Sequence, residues 1–108
     1  MTMPADLADC SALTLLALYR SGDASPVEAT SAVLDRIARL NPVLNAFCHL
    51  APEEALASAR ASEARWARKA PCGELDGVPV SIKDLILTAG WPTLRGSRTV
   101  DAAGPWDV

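Results

Sequence analysis

Residues 77–84 read Gly77-Val78-Pro79-Val80-Ser81-Ile82-Lys83-Asp84, a near-continuous apolar run that delivers a lysine at its end. The pattern predicts a buried strand, with Val78, Val80 and Ile82 on one face and Pro79, Ser81 and Lys83 on the other. Asp76-Gly77 predicts the turn that leads into it. Lys83 is one of two lysines in the chain, the remaining eight of its ten cationic residues being arginines. A lysine held close to apolar packing is driven towards its neutral form, because burial disfavours the ammonium, and a neutral lysine accepts protons. Ser81 and Lys83 share a strand face, which offers a nucleophile–base couple on spacing alone. A solvated turn at the end of a strand explains the same residues with less chemistry.

Upstream of this stretch the chain reads as helical. Ser11 opens a first helix, with Leu13, Leu16 and Leu18 on or near one face, that stops at Ser21-Gly22. The second has the strongest local grammar: Ser25 as N-cap, Pro26 in the first turn and Glu28 completing a capping box. Val27, Thr30, Leu34, Ile37 and Leu40 follow at helical spacing, and Asn41-Pro42 predicts the end. Val43 to Leu50 predicts a short strand. Pro52-Glu53-Glu54 starts an alanine-rich third helix that runs to Lys69 and is broken by Pro71-Cys72-Gly73. Leu85 to Ala89 predicts a further strand, and Gly90, Pro92, Gly96, Gly104 and Pro105 mark a loop-rich end.

The expected class is therefore α/β: amino-terminal helices followed by the first strands of a mixed sheet. Residues 1–108 form part of a single domain, with 1–74 mainly helical and 75–108 strands and loops. Two strands make a poor sheet and three helices need more of it, so either the module is unusually loose or the chain is incomplete.

Composition narrows the function. Half of the residues are apolar, about a fifth are charged and the net charge is -3, as in a globular protein with no polyanion partner. Arg60, Arg65, Arg68 and Lys69 cluster where cations complement the end of a helix, so no nucleic acid is implied. Leu13 to Leu18 is too short to span a bilayer, and the segment before it carries Asp6 and Asp9 where a signal peptide carries positive charge. No membrane is implied. Cys10, Cys48 and Cys72 are odd in number and widely spaced, which disfavours a disulfide framework and a zinc site and fits a reducing cytoplasm. His49 is the sole histidine. Beside it Cys48 suggests a thiol–imidazole pair, but neighbouring strand residues point to opposite faces.

GELDGVPVSIKD followed by TAGWPTLRGS resembles the amidase signature family. The matching pieces are Gly77-Val78-Pro79, Lys83-Asp84, Thr88-Ala89-Gly90 with Pro92-Thr93, and Gly96-Ser97. SPVEAT at Ser25 and Asn45-Ala46-Phe47 are similar to the family's amino-terminal region, so the resemblance runs from about Leu13 onward. It implies an enzyme that hydrolyses or transfers amides with a serine nucleophile, a second serine in a cis conformation, and a lysine. Lys83 matches that lysine and is the one catalytic residue carried over. Ser81 matches neither serine, so the Ser81–Lys83 couple falls. Asp84 matches the acid that follows the lysine and is expected to support local geometry.

The resemblance implies a route in which neutral Lys83 takes a proton through the cis-serine and frees the nucleophilic serine to attack the amide carbonyl. An acyl-enzyme forms, ammonia or an amine leaves, and water releases the acid. An ordinary lysine, titrating near about 10.4, is charged at neutral pH, so burial has to favour the base. The glycine- and serine-rich segment that carries both serines is not among these 108 residues, so they are expected to be inactive alone. The substrate implied for the complete protein is a small-molecule amide, with no cofactor and no metal, and a homodimer is compatible with the sequence. The alternative within the family is the tRNA-dependent amidotransferase component that acts on glutamine; Leu85 after Lys83-Asp84 favours a general amidase. From another class, a non-catalytic helical interaction module would use Trp66, Trp91 and Trp106 as anchors.

Overall fold

The computed structural model describes residues 6–106. They comprise a short 3-10 helix, Leu7–Asp9, and three α-helices, α1 (Ala12–Ser21), α2 (Pro26–Leu44) and α3 (Pro52–Ala67). Two compact units are present. One consists of the described residues of Met1–Asn45 with Ala51–Pro79, and the other of Ala46–Leu50 with the described residues of Val80–Val108.

Helix boundaries follow local chemistry. Ser11 Oγ accepts the Thr14 N–H at 3.1 Å to start α1, and Gly22 ends it in the left-handed region at φ 80°. Ser25 Oγ accepts the Glu28 N–H at 3.1 Å and Pro26 occupies the first turn of α2, as the sequence predicts. Replacing Ser25 with alanine removes that acceptor and should cost about 1 kcal/mol. The check is the urea midpoint of the 108-residue chain followed by far-UV circular dichroism; an unchanged midpoint would contradict it.

Pro42 does not stop α2. The helix continues to Leu44 and closes on Asn45, whose φ of 51° and N–H donated to the Asn41 carbonyl at 2.7 Å form a left-handed cap. A proline this close to the end interrupts little, and asparagine tolerates the left-handed region better than most residues. α3 ends at Ala67, two residues short of Lys69.

The helical unit packs Leu15, Leu16 and Tyr19 of α1 against Ala29 of α2, with Leu7, Cys10, Trp66 and Val78 around them. Leu13 lies outside this core and is exposed, so the buried face of α1 is centred on 15, 16, 18 and 19. Arg36 on α2 bridges Asp6 at 2.5 Å and Asp9 at 2.7 Å, tying the 3-10 helix to α2. The Tyr19 and Trp66 rings lie 5.8 Å apart at 54°, and burial pushes the Tyr19 phenol up to about 12. Its hydroxyl donates to the Gly77 carbonyl at 2.8 Å.

The predicted α/β class is not what forms. Among the described residues there is no strand and no sheet, only a single antiparallel bridge between Thr88 and Trp91. Val43 and Leu44 belong to α2, residues 46–50 have no regular structure, and 85–89 forms no strand beyond the isolated bridge at Thr88. Val78 to Lys83 runs without a ladder partner, leaving Val80 86 % and Ile82 47 % exposed. An alternating apolar pattern marks a segment suited to a pleated, half-buried surface, but a strand exists only where another backbone pairs with it. No described helix is long and apolar enough to cross a membrane.

Candidate functional site

The turn into 77–84 is heavily bonded. Val78 N–H donates to the Leu75 carbonyl at 3.0 Å, and Gly77 takes φ 88° at the third position of that turn. Asp76 is buried at the second position. Its Oδ1 accepts from Ser62 Oγ and Arg65 Nη2, both at 2.7 Å. Its Oδ2 accepts from Arg65 Nε at 2.7 Å and the Cys72 N–H at 2.9 Å. Trp66 Nε1 donates to the Asp76 carbonyl at 3.0 Å. The Arg65 guanidinium, aided by the Cys72 N–H and Ser62, holds the Asp76 carboxyl far below the usual carboxylate range against the cost of burial. These groups anchor backbone.

Lys83 lies in the second unit. It is exposed, and among the described residues it takes part in no ion pair. Its carbonyl accepts the Ile86 N–H at 3.0 Å, which makes it the first residue of a turn. Ser81 is exposed as well.

Asp84 is better held. Its Oδ1 accepts the Leu94 N–H at 3.0 Å. That bond, with the Cys48 thiol and the Gly96 and Arg95 N–H groups, holds its carboxyl below the usual range. Arg95 and Gly96 sit at φ 55° and 69°, and Ser97 N–H donates to the Leu94 carbonyl at 2.9 Å. Two successive left-handed residues closed by that bond match the type I′ turn.

The hydrogen bond to Asp84 raises the Cys48 thiol above its ordinary value, so it is held protonated. The His49 ring lies 5.7 Å from Trp91. Cys48 and His49 therefore engage different partners, as the sequence predicts, although the strand geometry behind that expectation is absent. The Cys48–Asp84 contact was not legible in the sequence, because the two lie far apart in the chain and neither carries a spacing signal.

Among the described residues no group of three or more His, Cys, Asp and Glu side chains is placed to hold a metal, and all three cysteines are free thiols.

Comparison with known proteins places these turns in a wider pattern. The family model described as Amidase matches residues 28–104. The chain is 45% identical over 89 residues to the A subunit of glutamyl-tRNA(Gln) amidotransferase from Chloroflexus aurantiacus, covering 82% of this chain and 18% of the relative. It is 46% identical over 93 residues to the protein of that name from Salinispora arenicola, covering 86% and 19%. For the Renibacterium salmoninarum protein the match is 45% over 104 residues, 95% of this chain and 20% of the relative. The chain thus spans about a fifth of the length of these relatives. No solved structure matches it. With most of its length matched, and with both the Asp76-Gly77 clasp and the Lys83-Asp84 turn inside the matched residues, the chain belongs to the amidase signature family.

Proposed function

We propose that these residues form the amino-terminal part of an amide-cleaving catalytic domain in which Lys83 is the proton acceptor. The observation that carries this is the place of Lys83: it stands within the matched residues, at the position that resembles the family's lysine, beside a carboxylate tied to a neighbouring turn. Proton acceptance needs a neutral amine, which burial favours. Lys83 is exposed in this chain, so the burial would come from the serine-bearing segment of a complete domain closing over it. That segment would also supply the nucleophile. The 108 residues are expected to release no ammonia from any carboxamide alone.

Of the two uses of this chemistry, the names of the relatives support the amidotransferase acting on glutamyl-tRNA(Gln); glutamine as its amide donor is what the family resemblance implies. Leu85, the residue that favours a general amidase, is one position against 45% identity over 104 residues to the Renibacterium salmoninarum protein. A chimera tests both points. The 108 residues replace the matching segment of the Renibacterium salmoninarum protein, and ammonia release is measured from glutamine and from simple carboxamides. Lys83→Met should lower turnover at least 100-fold with folding unchanged. A fully active Lys83→Met chimera would remove Lys83 from the chemistry, and a preference for simple carboxamides over glutamine would favour the general amidase.

A further inference from the structure

We propose that residues 6–10 form a charge-latched strap over the α1–α2 core, closed by Arg36 and able to open while the rest of the helical unit stays folded. The proposal is independent of the role of Lys83. The strap's backbone bonds close on the strap itself. Asp9 N–H donates to the Asp6 carbonyl and Cys10 N–H to the Leu7 carbonyl, both at 3.1 Å, and Ala8 N–H donates to Asp6 Oδ1 at 2.9 Å. None of Leu7–Asp9 is buried. Arg36 reaches this turn from α2, its Nη2 donating to Asp6 Oδ2 at 2.5 Å and its Nη1 to Asp9 Oδ1 at 2.7 Å. One planar guanidinium thus holds both ends of the turn, a fork that the point charge of a lysine does not reproduce.

The two carboxylates stand one 3-10 turn apart, so the wound turn brings like charges to one side. The Arg36 hydrogen bond and charge hold the Asp9 carboxyl below its ordinary value against the opposing charge of Asp6. Winding and docking are therefore one event. The guanidinium reaches both carboxylates when the turn is formed, and without it their repulsion favours unwinding. Arg39, one turn further along α2, also acts on Asp6, but less than Arg36 does.

Beneath the strap lies apolar surface. Leu7 and Cys10 pack against Leu15, Leu16, Tyr19 and Ala29, and burial raises the Cys10 thiol above its ordinary value. The latch faces water, with the Arg36 side chain 31 % and that of Asp9 65 % exposed. Salt screens exposed charges and leaves apolar contacts in place, so ionic strength acts on the latch and not on the core.

Cys10 reports the opening, since it is partly buried while Cys72 in the same unit is exposed. N-ethylmaleimide labelling of the 108-residue chain, followed by peptide mass spectrometry, should modify Cys10 about tenfold more slowly than Cys72. Raising sodium chloride from about 0.05 M to about 1 M should quicken Cys10 about threefold and Arg36→Ala about tenfold, with Cys72 unchanged. Arg36→Lys should fall between Arg36→Ala and the native chain, and Arg39→Ala should stay within about twofold of native. Amide exchange at Leu18 should remain as slow as in the native chain, which separates opening of the strap from unfolding of the core. Equal labelling of Cys10 and Cys72, or a Cys10 rate unmoved by Arg36→Ala, would overturn the proposal. So would exchange at Leu18 that quickens in step with Cys10. Should Arg36→Ala fail to fold, Asp9→Asn, which removes one end of the latch and leaves the Asp6 cap, decides on the same readouts.

Discussion

Asp76→Ala is expected to destabilise the 108-residue chain by about 2–4 kcal/mol, because several donors lose their acceptor while the partly exposed Arg65 guanidinium regains water. The Asp76 side chain is 2 % exposed and accepts four hydrogen bonds, two on each oxygen. Its loss strands the Ser62 hydroxyl, the Cys72 N–H and one face of the Arg65 guanidinium at once. A domain of this size has a total stability on the order of 5–15 kcal/mol, so the variant should be partly unfolded at room temperature or close to it. Asp76→Asn keeps the shape but turns an amide NH2 towards donors, and it should recover little. Urea unfolding by circular dichroism measures both. A loss below about 1 kcal/mol in Asp76→Ala would show that the clasp is not a main source of stability.

The same group sets an acid limit. The Asp76 carboxyl is depressed in the folded chain, so its contribution is fully present above the ordinary aspartate value near about 3.9. As pH falls through and below that value the unfolded chain takes up a proton first, and the contribution drains away towards the lower folded value. Asp6 and Asp9, lowered by their contacts with the 3-10 helix and Arg36, push in the same direction. The difference in stability between the native chain and Asp76→Ala should therefore be constant from pH 8 to pH 5 and shrink below pH 4.

Gly77→Ala is the second large expected effect, at about 2–4 kcal/mol. A Cβ there would lie 2.8 Å from both Pro26 Cγ and Ser62 Oγ, distances at which something must move. Overpacking of this kind costs about 1–3 kcal/mol. The backbone at φ 88° adds about 1 kcal/mol for any residue with a Cβ. Gly22→Ala is the internal control. Gly22 has φ 80°, but a Cβ there meets nothing within 4 Å, so only the backbone part remains. Thermal or urea midpoints should place Gly77→Ala well below Gly22→Ala. Equal losses at the two sites would mean that Pro26 and Ser62 yield without cost.

The asymmetry between these glycines shows what a linear pattern conveys. Both were legible as turn or cap residues from their neighbours, Ser21-Gly22 after an apolar helix and Asp76-Gly77 before an apolar run. That Gly77 also has α2 and α3 pressed against it was not, because Pro26 and Ser62 are far away in the chain. Lys83 and Asp84 divide in the same way. Their adjacency and the family pattern around them are written in the sequence, while the seat that Leu94, Arg95 and Gly96 make for Asp84 is a product of chain reversal.

The sequence by itself determined the three helices, their caps at Ser11, Ser25 and Gly22, the Asp76-Gly77 turn and the family. The helices, caps and turn each depend on residues within a few positions of one another, where backbone hydrogen bonding and φ preferences act directly. Only the tertiary structure decided that Val78 to Lys83 is unpaired, that Asp76 is the buried clasp between α3 and the turn, and that Asp84 reaches the 94–96 turn. A helix satisfies its backbone from its own neighbours; a strand, a buried ion pair and a carboxylate on distant amides need partners that the alternation of Val78, Val80 and Ile82 cannot name.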